Sequence, residues 1–411
     1  MAEPKTSTSD LPPTSDLPPT PGLPVRSDPS WSPTLTLHCA ACDTHHPLET
    51  LAWRCADCHG VLDLAGFTPA FPTAADLARR TATLWRYAEA LPLAEPAAIT
   101  LGEGMTPLVT APGRPDVRLK VDYLMPTGSF KDRGAVLLAA LASGLAVDRM
   151  VADSSGNAGT AVAAYAARAG IACEVYVPAA TSPGKVAQLR AYGATVHQFP
   201  GSREDTADAA AEAADTPGTL YASHVHNPFF FHGTKTYVFE LWEQLGGRLP
   251  QTLVLPLGNG TLVLGAHLGA RELLAAGLID RLPRIVAVQA PPCAPLAAAF
   301  RNGQNEPAAI TPEPTVAEGI AIARPARGAQ ILAAVRDSGG VILTVTDDQV
   351  NAAHAALARA GLYVEPTAAA CWAALQAGLV DTSLRPDDGP AAIAPLCGSG
   401  LKAKPPAVSA D

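Results

Sequence analysis

Charged side chains are scarce in this 411-residue chain, and most of those present are acidic. They make up 16% of the residues, and 29 lysines and arginines against 38 aspartates and glutamates leave a formal net charge of −9. A nucleic-acid partner requires a basic surface that neutralises phosphates, so we expect none. The charge also means that any bound phosphate must be held by backbone N–H groups as much as by lysines.

The sequence also lacks long apolar runs. None approaches the roughly 20 residues that a membrane-spanning helix needs, so we expect no membrane partner. The first residues, MAEPKTSTSDLPPTSDLPPTPGLP, lack the apolar core of a secretion signal, which makes the cytoplasm the expected location. Because residues 1–33 repeat SDLPPT and are rich in proline, we predict a disordered tail there, and a second loose tail at 405–411.

Four of the eight cysteines lie close together in a unit predicted at residues 34–68. Cys39 and Cys42 form one C-x2-C pair, and Cys55 and Cys58 form another after twelve intervening residues. This spacing is typical of zinc ribbons, in which four thiolates complete the shell of a structural ion. We therefore predict a structural zinc site. A metal-free ribbon and a pair of reducible dithiols are the alternatives.

From about residue 75, short apolar runs alternate with alanine-rich segments of helical length. This alternation predicts an α/β protein with largely parallel sheets covered by helices on both faces. Ligands of such sheets bind where the carboxyl ends of strands meet helix N-termini. The strand-like runs are 150–152, 173–178, 253–257, 285–289, 341–345 and 391–396, and the helical ones include 160–169, 262–276 and 348–360.

The stretch MPTGSFKDRG, residues 125–134, places Lys131 among small, turn-forming residues. A buried lysine is costly unless its charge is removed or used. One use is a Schiff base, in which the desolvated amine attacks an aldehyde and stays bonded to a cofactor. Lys131 is therefore a candidate for binding an aldehyde cofactor.

Three loops of small residues each follow a predicted strand. SSGNAG offers a carboxylate the N–H groups of a helix N-terminus, and its Asn157 offers an amide to a ring oxygen. PLGNGTLVLG can hold a phosphate with backbone donors, helped by Thr261. PLCGSGLK brings the thiol of Cys397 and the hydroxyl of Ser399 to the same edge of the sheet. Each loop alone is also explained as an ordinary cap or tight turn.

Together, Lys131 and the three loops describe one chemistry. The lysine suits an aldehyde, one loop suits a phosphate, another suits a carboxylate, and the third offers a neutral group to a ring nitrogen. A phosphorylated aldehyde on a heteroaromatic ring is pyridoxal 5′-phosphate. We therefore predict this cofactor, bound through Lys131.

From about residue 36 to 404, the chain resembles threonine synthase and its relatives in the tryptophan-synthase-like, fold-type II group of pyridoxal-phosphate enzymes. The shared motifs are the four-cysteine ribbon, LWRY, LGEGMTPL, PTGSFKDRG, SSGNAG, NP followed by GTKT, the glycine loop, EPT and GSGLK. The resemblance implies two doubly wound α/β domains with the cofactor between them, plus the small ribbon unit. It places the large domain at 75–144 and 226–404 and the small domain at 145–225, and it implies a homodimer.

The resemblance also assigns roles to residues. It makes Lys131 the Schiff-base lysine and the proton shuttle between Cα and the leaving group. Asn157 would bind the phenolic oxygen of the cofactor, and Ser155 and Gly156 would help to seat the substrate carboxylate. The residues that would hold the cofactor phosphate are Gly258, Asn259, Gly260 and Thr261.

Asp132 and Arg133 would position the helix after the lysine. The EPT motif at 365–367 would shape the ring pocket, and a purely architectural turn before a helix is the alternative. Cys397 stands where threonine synthases usually have a threonine facing the pyridine nitrogen, with Ser399 two residues on. Such a neutral neighbour leaves the ring nitrogen mostly unprotonated. More of the acid–base work then falls to the lysine.

A second departure concerns the substrate. The resemblance predicts an arginine, binding the phosphate of O-phosphohomoserine, at the position of Phe230 in NPFFFH. A histidine near neutral pH binds phosphate less well than a bidentate arginine does. A packed aromatic corner without phosphate contacts is the alternative. The candidate replacements for the arginine are His224, His226, His232, Lys185 and Arg190.

The resulting hypothesis is a lyase of the threonine synthase type, acting on a small amino acid and converting O-phosphohomoserine and water into L-threonine and phosphate. Alternatives are an ammonia-lyase of L-serine or L-threonine and a β-replacement enzyme that uses an activated serine. These reactions differ in the side-chain pocket, which kinship of fold does not decide. A non-catalytic cofactor-binding protein is disfavoured, because Lys131 occurs together with all the cofactor loops.

Overall fold

The computed structural model describes residues 34–93, 99–201, 203–382 and 389–403, so both predicted tails lie outside the described residues. The strands are β1 (Thr36–His38), β2 (His45–Pro47), β3 (Asp63–Ala65), β4 (Leu108–Ala111), β5 (Arg114–Lys120), β6 (Arg149–Ala152), β7 (Ala172–Pro178), β8 (Thr195–Phe199), β9 (Thr219–Tyr221), β10 (Thr252–Pro256), β11 (Arg284–Gln289), β12 (Val341–Thr344) and β13 (Ala392–Pro395).

The helices pack around and between these strands. They are α1 (Ala74–Leu77), α2 (Asp132–Gly144), α3 (Asn157–Ala169), α4 (Pro183–Ala191), α5 (Arg203–Ala214), α6 (Pro228–Thr234), α7 (Thr236–Gln244), α8 (Thr261–Ala275), α9 (Pro295–Arg301), α10 (Gly328–Asp337), α11 (Asp347–Arg359) and α12 (Pro366–Gln376). Among the described helices, none has both the length and the apolar composition that crossing a bilayer requires.

The larger of two parallel sheets has the strand order β12-β11-β10-β13-β5-β4. Every neighbouring pair is parallel except β4 and β5, which form an antiparallel pair at the edge. Strands β10 and β13 are buried along their whole length, as expected for a parallel sheet covered on both faces. The α/β class predicted from the sequence is confirmed, and the edge strand β4 is the one departure from parallel pairing in this sheet.

A second, four-stranded sheet has the order β8-β7-β6-β9, and all its pairs are parallel. Its strands fall between residues 149 and 221, inside the segment predicted for the small domain. The exact domain boundaries stay a prediction.

A short antiparallel sheet, β2-β1-β3, forms a separate unit near the start of the described chain. Leu37 pairs with His46 on one side and with Leu64 on the other. Cys39 and Cys42 follow β1, and the other two clustered cysteines lie in the loop between β2 and β3. The sheet therefore brings the two C-x2-C pairs to one end of the unit.

A buried ion-pair network ties α2 to its neighbours. The guanidinium of Arg133 lies 2.9 Å from carboxylate oxygens of both Asp122 and Glu240. The Nζ of Lys120 lies 2.7 Å from Glu240, and none of the four side chains is exposed. Because Arg133 follows Lys131 by two residues, these contacts support the interpretation that Arg133 positions the helix after the lysine.

We predict that Glu240→Gln lowers the free energy of unfolding by about 3–5 kcal/mol at neutral pH, because it breaks a buried pair and leaves cationic charge uncompensated. Burial alone would raise the pKa of Glu240, but the charges of Arg133 and Lys120 lower it from 4.5 to about 2. The stabilisation is therefore complete above about pH 4.5 and is lost as the pH falls towards 2. Urea unfolding at several pH values measures it.

The matched control for this measurement is Glu89→Gln. The side chain of Glu89 is 44% exposed and pairs with Arg80 at the surface, so its loss should cost less than about 1 kcal/mol. Equal losses for the two variants would contradict the importance of the buried network.

Candidate active site

The predicted cofactor loops lie at the carboxyl ends of strands in the two parallel sheets. Lys131 immediately precedes α2, and its Nζ donates a hydrogen bond to the hydroxyl of Thr261 over 3.1 Å. The rings of Phe130 and Phe230 have their centroids 4.8 and 5.6 Å from the same nitrogen. The fold therefore brings the lysine to the glycine loop, across 130 residues of sequence.

The glycine loop leads from β10 into α8. Gly260 has φ = 72°, in the left-handed region, and a Cβ there would lie 2.3 Å from a side-chain carbon of Ile331. A Cβ at Gly258 would lie 2.9 Å from the carbonyl oxygen of Gly319. Both positions therefore require glycine, and the N–H groups of the first helical turn remain available to an anion. This arrangement fits a phosphate.

The asparagine loop places α3 with its N-terminus beside the site. Gly156 is the residue before the first helical turn, and its N–H donates to the hydroxyl of Ser154 over 3.3 Å. Ser155 and Gly156 are only half-buried, so the positive end of the helix dipole is accessible. These properties suit a substrate carboxylate.

Asn157 contacts a carboxylate that the sequence assigned only to the ring pocket. Its amide nitrogen lies 2.9 and 3.2 Å from the two side-chain oxygens of Glu365. Burial raises the pKa of this carboxyl group, and the hydrogen bond from Asn157 partly opposes the rise. An amide nitrogen carries two N–H groups, so Asn157 can serve Glu365 and a ring oxygen together.

Cys397 and Ser399 differ in what they offer. The sulfur of Cys397 lies 3.9 Å from a carboxylate oxygen of Glu365, and burial raises the pKa of the thiol well above its usual value. Cys397 is therefore an uncharged neighbour. The hydroxyl of Ser399 accepts a hydrogen bond from the N–H of Leu401 and caps the turn Gly400–Lys402.

Lys402 is a half-buried lysine whose role the sequence left unassigned. Its Nζ donates to the carbonyl oxygen of Thr127 over 2.9 Å, beside the turn that leads to Lys131. Burial lowers its pKa, and the charge of Glu365 opposes the change. Lys402 ends the motif GSGLK, so it follows a stretch of small residues, as Lys131 does. That pattern could have identified Lys402 from the sequence.

Phe230 lies in a close-packed corner. Its side chain is fully buried, and a Cβ at Gly134 of α2 would lie 2.4 Å from the ring. The ring of His224 makes an edge contact with Phe230 at 5.9 Å, and its Nε2 lies 3.4 Å from the amide nitrogen of Asn259. This geometry favours the aromatic corner, the alternative interpretation of the NPFFFH segment.

Two other histidines of this segment do not supply a positive charge near neutral pH. Burial lowers the pKa of His226 to about 4, and the ring packs edge-on against Trp53 at 5.2 Å. Burial also lowers the pKa of His232 well below its usual value, and its Nδ1 lies 2.9 Å from the Nζ of Lys235. Neither of these rings is protonated near neutral pH.

The four clustered cysteines form a separate candidate metal centre. Their sulfur atoms all lie within 4.8 Å of one another, with 3.5 Å between Cys39 and Cys58 and 3.4 Å between Cys42 and Cys55. A tetrahedron with Zn–S bonds of about 2.3 Å has S–S edges of about 3.8 Å. The thiol donors therefore fit one tetrahedral zinc ion, with small adjustments of the side chains.

Solved structures of similar fold include a threonine deaminase and an L-serine ammonia-lyase. A threonine deaminase from T.th. matches with a TM-score of 0.61 at 26% identity, covering 81% of this chain and 100% of that one. A fungal L-serine ammonia-lyase from Rhizomucor miehei matches with a TM-score of 0.62 at 22% identity, covering 72% and 93% of the two chains. The second likeness shows the fold alone.

Sequence comparison identifies the family. Residues 99–393 match the family described as "Pyridoxal-phosphate dependent enzyme". Threonine synthase of Methanosarcina acetivorans is 34% identical over 352 residues, which cover 83% of this chain and 86% of that protein. Threonine synthase of Mycobacterium leprae is 39% identical over 285 residues, covering 67% and 76%. The two curated relatives described are threonine synthases, and the chain belongs to the pyridoxal-phosphate dependent enzymes.

Proposed function

We propose that this protein is a pyridoxal-phosphate-dependent lyase of the threonine synthase type, which converts O-phosphohomoserine and water into L-threonine and phosphate. The observation that carries the proposal is the hydrogen bond between the Nζ of Lys131 and Thr261, at the start of a helix whose glycine loop fits a phosphate. Relatives that are threonine synthases, at 32–39% identity over most of the chain, support the same reaction.

The residues around Lys131 fit the cofactor. The loop at 258–261 would hold its phosphate, Asn157 would donate to its phenolic oxygen, and Cys397 would face its ring nitrogen. When bound, the cofactor supplies an aldehyde for the amino group and an electron sink for the carbon that loses a proton. The half-buried N-terminus of α3 would hold the substrate carboxylate and so orient the Cα–H bond.

Proton transfer is the task of Lys131. Its Nζ would take protons from Cα and then from Cβ, and the bond between Cγ and the phosphate oxygen would break. It would return one proton to Cγ and, once water has added its hydroxyl to Cβ, one to Cα, while the remaining proton of the water leaves with the phosphate. The thiol of Cys397 is uncharged, so it provides no negative partner that would keep the ring nitrogen protonated. An unprotonated ring nitrogen would make the cofactor a weaker electron sink, so more of the acid–base work would fall to the lysine. The hydroxyl of Thr261 holds the amine in position between these steps.

The four-cysteine unit would bind a structural zinc ion. Four thiolates complete a tetrahedral shell and leave no position for substrate, so the ion would take no part in the reaction. The unit contacts the layers of both parallel sheets. Arg54 pairs with Asp215 beyond the end of α5, and Arg327 at the start of α10 pairs with Asp63 of β3 over 2.6 Å. The metal would therefore stabilise a bridge between the layers of the enzyme.

An ammonia-lyase acting on L-serine or L-threonine is the second candidate. The observation that favours it is Phe230, which is apolar and fully buried beside the lysine where a phosphate-binding arginine is expected. The neutral state of His226 and His232 points in the same direction. Such a reaction would release ammonia and a 2-oxo acid and would need no phosphate subsite.

We predict that the cofactor-loaded protein releases phosphate and L-threonine from O-phosphohomoserine in equal amounts, and that Lys131→Ala lowers the rate by at least about 10³-fold. The variant should also lose the absorption band of the lysine-bound cofactor. The control Arg271→Met, at a surface position on α8 that is 57% exposed, should keep both properties. Ammonia release from L-threonine without any phosphate release from O-phosphohomoserine would favour the second candidate.

We also predict one zinc ion per chain by elemental analysis. Cys42→Ser should reduce the zinc content to near zero and lower the melting temperature, because metal-binding free energy contributes to folding. The control Cys293→Ser changes a buried cysteine outside the cluster and should leave the zinc content unchanged. A zinc-free protein, expressed with ample zinc and unaffected by chelators, would contradict the prediction.

A further inference from the structure

The proposed reaction requires a cation for the phosphate of the substrate, and the following inference rests on that proposed function. Phosphate is strongly hydrated, so a binding site must replace the water with charged donors. Phe230 offers none, and burial keeps His226 and His232 neutral. The third candidate histidine, His224, is buried against Phe230, with its Nε2 3.4 Å from the amide nitrogen of Asn259. A positive charge can also come from a lysine elsewhere in the cleft.

Three lysines surround the carboxylate of Glu365 closely enough to oppose the rise of its pKa. Lys131 is committed to the cofactor, and Lys402 is held by the carbonyl oxygen of Thr127. Lys185, the third, belongs to α4, on the layer that covers the smaller parallel sheet. It is half-buried, whereas Arg190 on the same helix is exposed.

Lys185 makes an ion pair across the cleft. Its Nζ lies 3.4 Å from a side-chain oxygen of Glu318, which begins the turn Glu318–Ile320 on the side of the larger sheet. The next residue of that turn, Gly319, packs against Gly258 of the glycine loop. Lys185 is therefore near the cofactor phosphate loop without belonging to it.

This ion pair is weak enough to be exchanged. The side chain of Glu318 is 76% exposed and that of Lys185 is 35% exposed. Pairs this exposed contribute less than about 1 kcal/mol, because water screens them. A phosphate dianion carries twice the charge of the carboxylate and offers more acceptor oxygens, so it can displace Glu318 from the lysine.

The position of α4 also suits the length of the substrate. Helices α3 and α4 pack against each other, and the N-terminus of α3 is the expected carboxylate subsite. One layer would then hold both charged ends of an amino acid with a phosphorylated side chain. Lys131, from the opposite side of the cleft, would reach the carbon atoms between the two ends.

We propose that Lys185 binds the phosphate group of the amino-acid substrate and exchanges its ion pair with Glu318 for that contact. The site would favour a phosphorylated side chain, because a phosphate dianion binds this cation more strongly than the carboxylate of Glu318 does. Lys185 thereby supplies the charge that is missing at Phe230.

The test compares steady-state kinetics of four holoenzyme variants with O-phosphohomoserine. Lys185→Met should raise KM about tenfold or more, with kcat changed less than about threefold, because it removes a charged contact made in both the ground and transition states. Lys185→Arg should restore much of the affinity. Glu318→Gln should leave KM unchanged or lower it, because it removes the competing carboxylate.

The matched control is Arg190→Met, which removes a cation from the exposed face of the same helix. It should keep the KM of the unchanged protein. If Lys185→Met and Arg190→Met behave alike, or if Glu318→Gln raises KM as much as Lys185→Met does, the proposal is overturned.

A second measurement separates this proposal from the proposed reaction. An amino acid with an unreactive phosphonate, in which carbon replaces the ester oxygen, is titrated into the holoenzyme while the cofactor spectrum is recorded. Weaker binding to Lys185→Met than to Arg190→Met supports the phosphate subsite even if O-phosphohomoserine is not turned over, in which case the reaction type alone is wrong. Equal binding to both variants, or no binding to the unchanged protein, overturns the subsite.

Discussion

The short contact between Lys131 and the start of α8 depends on the buried charges around Arg133. The lysine precedes α2, so the direction of that helix decides where its amine points. Arg133 binds Asp122 and Glu240, which come from two other elements, and all three side chains are fully buried. A helix held in this way cannot rotate without separating buried charges, which is costly. The position of the reactive amine is therefore fixed by electrostatics deep in the larger layer.

The groups on the opposite side of the cleft are less deeply buried, and this difference suits the proposed chemistry. The smaller sheet contributes the N-terminus of α3 and the side chains of α4. The pair between Lys185 and Glu318 joins this layer to the larger one, and it is largely exposed to water. Closure of this layer over a substrate would exclude water and complete the carboxylate and phosphate subsites. A lysine next to a buried ion-pair network and a more exposed substrate layer would divide the tasks of reaction and recognition.

The sequence predicts the parallel sheets and the loop positions well, because both depend on residue types within short stretches of the chain. Gly258 is required by a backbone contact and Gly260 by its left-handed φ, so the motif that contains them can be recognised without a structure. Contacts between side chains that are far apart in the sequence cannot be recognised in this way. Nothing near Glu318 in the sequence shows that it meets Lys185, 133 residues earlier, and nothing near Asn157 shows that it meets Glu365. These contacts depend on how the two sheets approach each other.

Phe230 shows why a substitution at one side of the cleft has consequences at the other. Helices α2 and α6 touch almost backbone to backbone, since a Cβ at Gly233 would lie 2.0 Å from the carbonyl oxygen of Arg133. The ring of Phe230 fills the remaining space against Gly134. A close-packed corner of this kind cannot rearrange to bring another cation into the position of a lost arginine. A compensating charge is therefore expected from the other side of the cleft, where α4 carries Lys185.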